Sequence, residues 1–150
     1  MLFSFLIGLF AGLRSLTAPA VTGWAIYLRR LRVGRPLSLL GSAPFVGVFS
    51  VLAILELVVD KLPNTPNRTA PTGLIARLVT GSVTGACVAA GAAQRPLLGG
   101  VLGAAGAVVG CFGGYETRKR LVKALGTRDV NVALVEDLAA IAGSVWVLFR

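Results

Sequence analysis

The chain has 150 residues, of which 55% are hydrophobic and 14% charged, and its formal net charge is +9. Soluble domains carry about 25% charged residues, and a soluble core this apolar would lack polar surface to cover it. The composition therefore predicts a single all-α integral membrane domain over residues 1–150. The basic residues cluster between apolar segments, in Arg29–Arg35 and Arg118–Arg128. This placement indicates contact with anionic lipid headgroups of a bilayer and argues against nucleic acid as a partner.

The first apolar segment, over about residues 2–28, is predicted to form a broken membrane helix. Pro19 lacks a backbone donor and disfavours helix just before it, and Arg14, Ser15 and Thr17 lie in the same stretch. No basic region precedes the segment, so we expect a membrane helix and not a cleaved signal. Two interpretations stay open: a proline kink near the membrane interface, or a half-helix end that lines a site.

Four further apolar segments follow, most of them close to the roughly 20 residues that a helix needs to cross hydrocarbon. They cover about residues 43–62, 73–93, 97–114 and 130–149. An amphipathic helix over about 115–125, with a Glu116–Arg120 pair, either lies at the interface or extends the fourth span. The sequence thus predicts about five transmembrane helices. The charge balance of the loops leaves the orientation, including dual topology, open.

Glycines recur at helical spacing in the third and fourth spans. They are Gly81 and Gly85 in the third, and Gly99, Gly103, Gly106, Gly110 and Gly114 in the fourth. Such faces let helix backbones approach closely in lipid, so we predict glycine-rich helix packing. Because five closely packed spans leave little room for a pathway, we also predict a homo-oligomer.

Four acidic residues lie in or at the edge of apolar spans, where a charge at the helix centre costs roughly 2.5–3.5 kcal/mol on insertion scales. Glu56 and Asp60 share one helix face at i,i+4. Glu136 and Asp137 point about 100° apart on a helix, so we expect one to face the site and the other to meet Arg14 or a neighbour. We predict that all four acids gather in one half of the bilayer, with Arg14 as the one intramembrane basic partner.

These charges favour a transporter or channel for an ion or small charged solute. Ser15, Thr17, Lys61, Arg68 and Glu116 are secondary candidates for the pathway. The alternative is a non-transporting scaffold, or a protein that binds lipid headgroups, in which the buried charges form structural ion pairs. Because the chain has no histidine, Ser-His and Cys-His nucleophiles and the usual zinc sites are excluded. We therefore predict no enzyme activity, no metal and no cofactor.

Five motifs are distributed along the chain: GLRSLTAPA at 12–20, ELVVDKLP at 56–63, TPNRTAP at 65–71, GGYE at 113–116 and VEDL at 135–138. Together they resemble those of one bacterial membrane-protein family, domain of unknown function 4126 (DUF4126). The resemblance covers nearly the whole chain. It implies a multi-pass protein of the bacterial inner membrane, and it implies no activity.

Overall fold

The computed structural model describes residues 1–59, 71–126 and 129–149. All regular elements within these ranges are helices. A 3₁₀ helix at Leu37–Gly41 precedes the third α-helix. The α-helices are α1 (Leu2–Leu13), α2 (Thr17–Tyr27), α3 (Ala43–Val59), α4 (Pro71–Gly91), α5 (Pro96–Leu125) and α6 (Asp129–Phe149).

The break predicted in the first segment is confirmed, and it turns the chain back on itself. Arg14 ends α1 in an extended conformation, at φ −139° and ψ 114°. The start of α1 lies beside the α4–α5 connection, because the amino group of Met1 donates to Gln94 Oε1 at 2.7 Å. The residues after α2 lie at the same place, since a Cβ added at Gly91 would lie 2.3 Å from Leu31 Cδ1. Both arms of the α1–α2 hairpin therefore end at one end of the bundle, hereafter the Met1 end. We call residues 14–16 the hairpin tip.

This hairpin corrects the prediction of a first span over residues 2–28. The two arms have 12 and 11 residues, and at 1.5 Å per residue each is only about 16–18 Å long. Neither arm is long enough to cross hydrocarbon about 30 Å thick. The prediction failed because apolar composition continues across the break and carries no information about direction.

The four longer helices alternate in direction beside the hairpin. Trp24 Nε1 donates to Ser50 Oγ at 3.0 Å, which fixes α3 antiparallel to α2. The rings of Phe3 and Trp146 lie 5.9 Å apart, which brings the end of α6 to the Met1 end. Because α4 and α5 are joined near Gln94, α4 runs toward the Met1 end and α5 runs away from it. With the two contacts above, α6 also runs toward the Met1 end and α3 runs away from it.

Glycines bring α1, α4 and α5 into backbone contact, as their spacing predicts. A Cβ at Gly103 of α5 would lie 2.1 Å from the carbonyl oxygen of Gly81 in α4. On the neighbouring face of α5, a Cβ at Gly106 would lie 2.1 Å from the carbonyl oxygen of Phe5 in α1. Much of the glycine pattern therefore serves packing within one chain, where α5 lies between α1 and α4.

Three helices of the described residues are long and apolar enough to cross a membrane: α4, α5 up to residue 124, and α6. The predicted amphipathic helix continues the fourth span without a break, so α5 is a single helix of 30 residues. Large apolar side chains are exposed along the bundle, for example on α3 and α6. Together these features identify a membrane protein, although the predicted count of five spans is not confirmed.

Candidate functional site

The hairpin tip brings two helix ends together inside the bundle. The C-terminus of α1 presents carbonyl groups and the N-terminus of α2 presents amide groups, and neither set has partners within its own helix. The helix dipoles make the α1 end partly negative and the α2 end partly positive. Charged side chains from three other helices meet these ends: Glu56 of α3, Arg77 of α4 and Asp137 of α6.

Glu56 binds the N-terminus of α2. Its Oε1 accepts from the Ser15 amide at 2.8 Å and from the Ser15 hydroxyl at 2.5 Å. Its Oε2 accepts from the Leu16 amide at 2.9 Å. A negative carboxylate therefore lies at the positive end of the helix, where it is electrostatically favoured. The structure thus places Glu56 and Ser15, both predicted site residues, in one contact.

Arg77 has the complementary role at the C-terminus of α1. Its Nε donates to the carbonyl oxygen of Gly12 at 3.0 Å, and the residue is only 5% exposed. The expectation that Arg14 is the one intramembrane basic residue is therefore wrong. A lone arginine six residues into an apolar helix was the available signal in the sequence.

Arg14 pairs with Asp137 at the same tip. The guanidinium is fully buried and forms a salt bridge through Nη2 to Oδ1 of Asp137, which is 5% exposed. The expectation that one acid of the Glu136–Asp137 pair meets Arg14 is confirmed. Since Arg14 is the last residue before the turn, this ion pair fixes the hairpin tip against α6.

Glu136 points to a different partner. Arg118 Nη1 lies 3.9 Å from Glu136 Oε2, and the Nε of the same arginine donates to Asp129 Oδ1 at 2.7 Å. This second charged cluster joins α5 to the start of α6. Of the four acids predicted to gather in one half of the bilayer, Glu56 and Asp137 meet at the hairpin tip, whereas Glu136 has Arg118 as its partner.

The other predicted site residues divide between the tip and the surface. Thr17 is buried as the first residue of α2. Glu116 is exposed and accepts from Arg120 Nε at 2.8 Å, so it forms the predicted i,i+4 pair and lies outside the tip. Asp60, Lys61 and Arg68 lie outside the described residues.

With Arg14, Arg77, Glu56 and Asp137 ionised, the tip carries two positive and two negative charges. Each interacts through a charge-assisted contact in an environment of reduced dielectric, where electrostatic interactions are stronger than in water. No group of three or more metal-ligating side chains occurs in the described ranges. Chemically, the arrangement holds opposite charges close together at the two helix ends.

A cavity of about 640 Å³ lies at the opposite end of the hairpin. Its lining includes Phe3, Arg30, Gln94 and Leu148. It lies about 18 Å from the tip along α1, as estimated from the helix rise. It contains none of the site residues that the sequence predicts.

The family comparison covers the whole chain. The model described as "Domain of unknown function (DUF4126)" matches residues 1–150, which agrees with the resemblance seen in the motifs. No curated protein and no solved structure matches the chain.

Proposed function

We propose that this chain, which belongs to the DUF4126 family, is a small membrane transport protein for an ion or small charged solute. Its site is the hairpin tip together with the charged side chains at the two helix ends, which are Arg14, Glu56, Arg77 and Asp137. Binding at the ends of broken helices, near the middle of the membrane, is a recurring arrangement in transporters.

The observation that carries this proposal is the depth of the tip in the bundle. Arg77 binds the carbonyl oxygen of Gly12, next to the tip. It lies six residues after the start of α4 and 14 residues before its end. At 1.5 Å per residue, these separations correspond to about 9 Å and about 21 Å along the helix. Non-helical backbone at such depth is tolerated where protein or a water-filled cavity satisfies its polar groups.

The partial exposure of Glu56 also supports a pathway. Its carboxylate is only partly buried, and it lies on α3 among exposed apolar side chains such as Leu52 and Leu55. A carboxylate that faced lipid at this depth would be costly. The proposal therefore places water, or a second copy of the chain, on this side of α3, in keeping with the homo-oligomer that we predict.

The topology proposed with this function has a re-entrant hairpin and four crossing helices. The hairpin enters and leaves on the side of the Met1 end, and α3, α4, α5 and α6 cross. Residues 2 and 94 would then face the same aqueous compartment. The bacterial inner membrane remains the proposed location.

One observation favours the alternative, a non-transporting scaffold or lipid-headgroup-binding protein. Each of the four charges at the tip already has a partner within the chain: Arg14 with Asp137, Arg77 with Gly12, and Glu56 with the amides of the tip. Buried ion pairs of this kind can fix a structure without taking part in transport. In that case the network would stay closed and no solute would cross.

Flux through reconstituted vesicles distinguishes the two functions. We expect the purified protein to carry at least one of potassium, sodium, protons or chloride above the rate of empty vesicles. The Asp137→Asn variant should lower that flux at least tenfold, because it removes the ion pair with Arg14 that fixes the hairpin tip against α6. The matched control, Glu116→Gln, removes an exposed acid outside the tip and should leave flux unchanged. A protein that is folded and correctly inserted but carries none of these ions would contradict transport and support the scaffold.

A further inference from the structure

We infer that the solute is a small inorganic anion, and that the carboxylate of Glu56 occupies the place of this anion at the N-terminus of α2. This inference rests on the proposed transport function and adds its substrate class. Glu56 would then act as a tethered competitor of the anion, and its protonation would open the site.

The contacts of Glu56 match those that a helix N-terminus offers to a free anion. The carboxylate accepts from two consecutive amides, those of Ser15 and Leu16, and from the Ser15 hydroxyl. Helix N-termini bind phosphate, sulfate and carboxylate in this way. The N-cap position itself is Leu16, whose side chain has no acceptor, so the negative group comes from a separate helix and is free to leave.

An independent observation is the buried hydroxyl of Thr17. This residue is 4% exposed, and its Oγ1 has no hydrogen-bond partner among the described residues. Other threonines in these helices donate to a carbonyl four residues earlier, as Thr22 does to Ala18 and Thr84 does to Thr80, both at 2.8 Å. Thr17 begins α2, directly after the Leu16 amide that binds Glu56, and makes no such bond. In the proposed site its hydroxyl is a further donor to the anion.

The charges around the tip favour an anion over a cation. The ionisable groups that the described helices bring to it are Arg14 at the end of α1, Glu56 of α3, Arg77 of α4 and Asp137 of α6. When Glu56 takes up a proton, the tip loses one negative charge and the positive helix end loses its negative partner. A bound anion would replace that charge, whereas a cation would not.

The sequence of events is a proton transfer followed by an exchange of ligands. A proton from water converts the Glu56 carboxylate to the neutral carboxylic acid, which binds the amides of Ser15 and Leu16 more weakly. The side chain then leaves the helix end, and the anion accepts from the same amides and from the Thr17 hydroxyl. Loss of the proton returns the carboxylate to its place and expels the anion.

The experiment measures chloride and nitrate flux in reconstituted vesicles from neutral pH to about pH 5, with potassium flux as the comparison. We expect anion flux through the wild-type protein to rise as the pH falls. Glu56→Gln, which mimics the protonated acid, should carry anions at neutral pH at least tenfold faster than wild type and without pH dependence. Thr17→Val removes one donor and should lower anion flux roughly tenfold, the worth of one hydrogen bond.

Two controls separate these effects from misfolding. Glu116→Gln changes an exposed acid, and Thr80→Val removes a hydroxyl that donates to the Ala76 carbonyl within its own helix; both should behave like wild type. If Glu56→Gln does not fold, Thr17→Val decides the question alone. Flux of potassium without chloride or nitrate would overturn the anion inference and leave transport standing. A protein that carries none of these three ions and neither sodium nor protons would overturn both.

Discussion

Removal of one member of the buried Arg14–Asp137 pair should strongly destabilise the protein. Asp137→Asn leaves the fully buried guanidinium of Arg14 without its carboxylate partner. Breaking a buried pair in this way typically costs about 3–5 kcal/mol, because the remaining charge stays desolvated. For a chain of this size 1 kcal/mol corresponds to roughly 2–4 °C in melting temperature. We therefore expect the melting temperature to fall by roughly 6–20 °C.

The chain supplies its own probes for this measurement. Cys87 and Cys111 are both fully buried, so a thiol-reactive fluorogenic dye in detergent solution reports unfolding directly. The double variant Arg14→Met with Asp137→Leu removes both charges and should be more stable than Asp137→Asn alone, as expected for an apolar replacement of a buried pair.

The control for this prediction is Glu116→Gln, which removes an acid from an exposed i,i+4 pair. Exposed pairs contribute little to stability, so its melting temperature should match that of wild type. If Asp137→Asn shifts the melting temperature no more than Glu116→Gln does, the Arg14–Asp137 pair does not hold the hairpin tip. The same conclusion follows if the double variant is less stable than Asp137→Asn.

Two further predictions concern packing and topology. Gly103→Ala should lower the melting temperature, because its Cβ would lie 2.1 Å from a backbone oxygen of α4, whereas Gly113→Ala has open space and should be neutral or stabilising; equal shifts would contradict the close packing. For topology, Leu2→Cys and Gln94→Cys should react with a membrane-impermeant thiol reagent from the same side of oriented vesicles, and Lys123→Cys from the opposite side. Reaction of residues 2 and 94 from opposite sides would show that the first segment crosses the membrane.

The sequence by itself determined the features that depend on local composition and spacing. Hydrophobic content and scarce charge indicated a membrane protein, and Pro19 beside Arg14 placed the helix break. Glycines at intervals of three and four marked the close faces of α4 and α5, and the i,i+4 spacing paired Glu116 with Arg120. Each of these follows from interactions within one helix or from the cost of polar groups in lipid.

Only the tertiary structure decided the direction of the chain after the break and the partners of the buried charges. A break of three residues can either continue a helix axis or reverse it, and the outcome depends on helices that lie far along the chain. Glu56 reaches Ser15 across 41 positions and Arg77 reaches Gly12 across 65. Hydrophobic periodicity describes which face of a helix is apolar and says nothing of such distant pairs. The turned hairpin, the burial of Arg77 and the separation of Glu136 from Asp137 therefore emerged only from the folded chain.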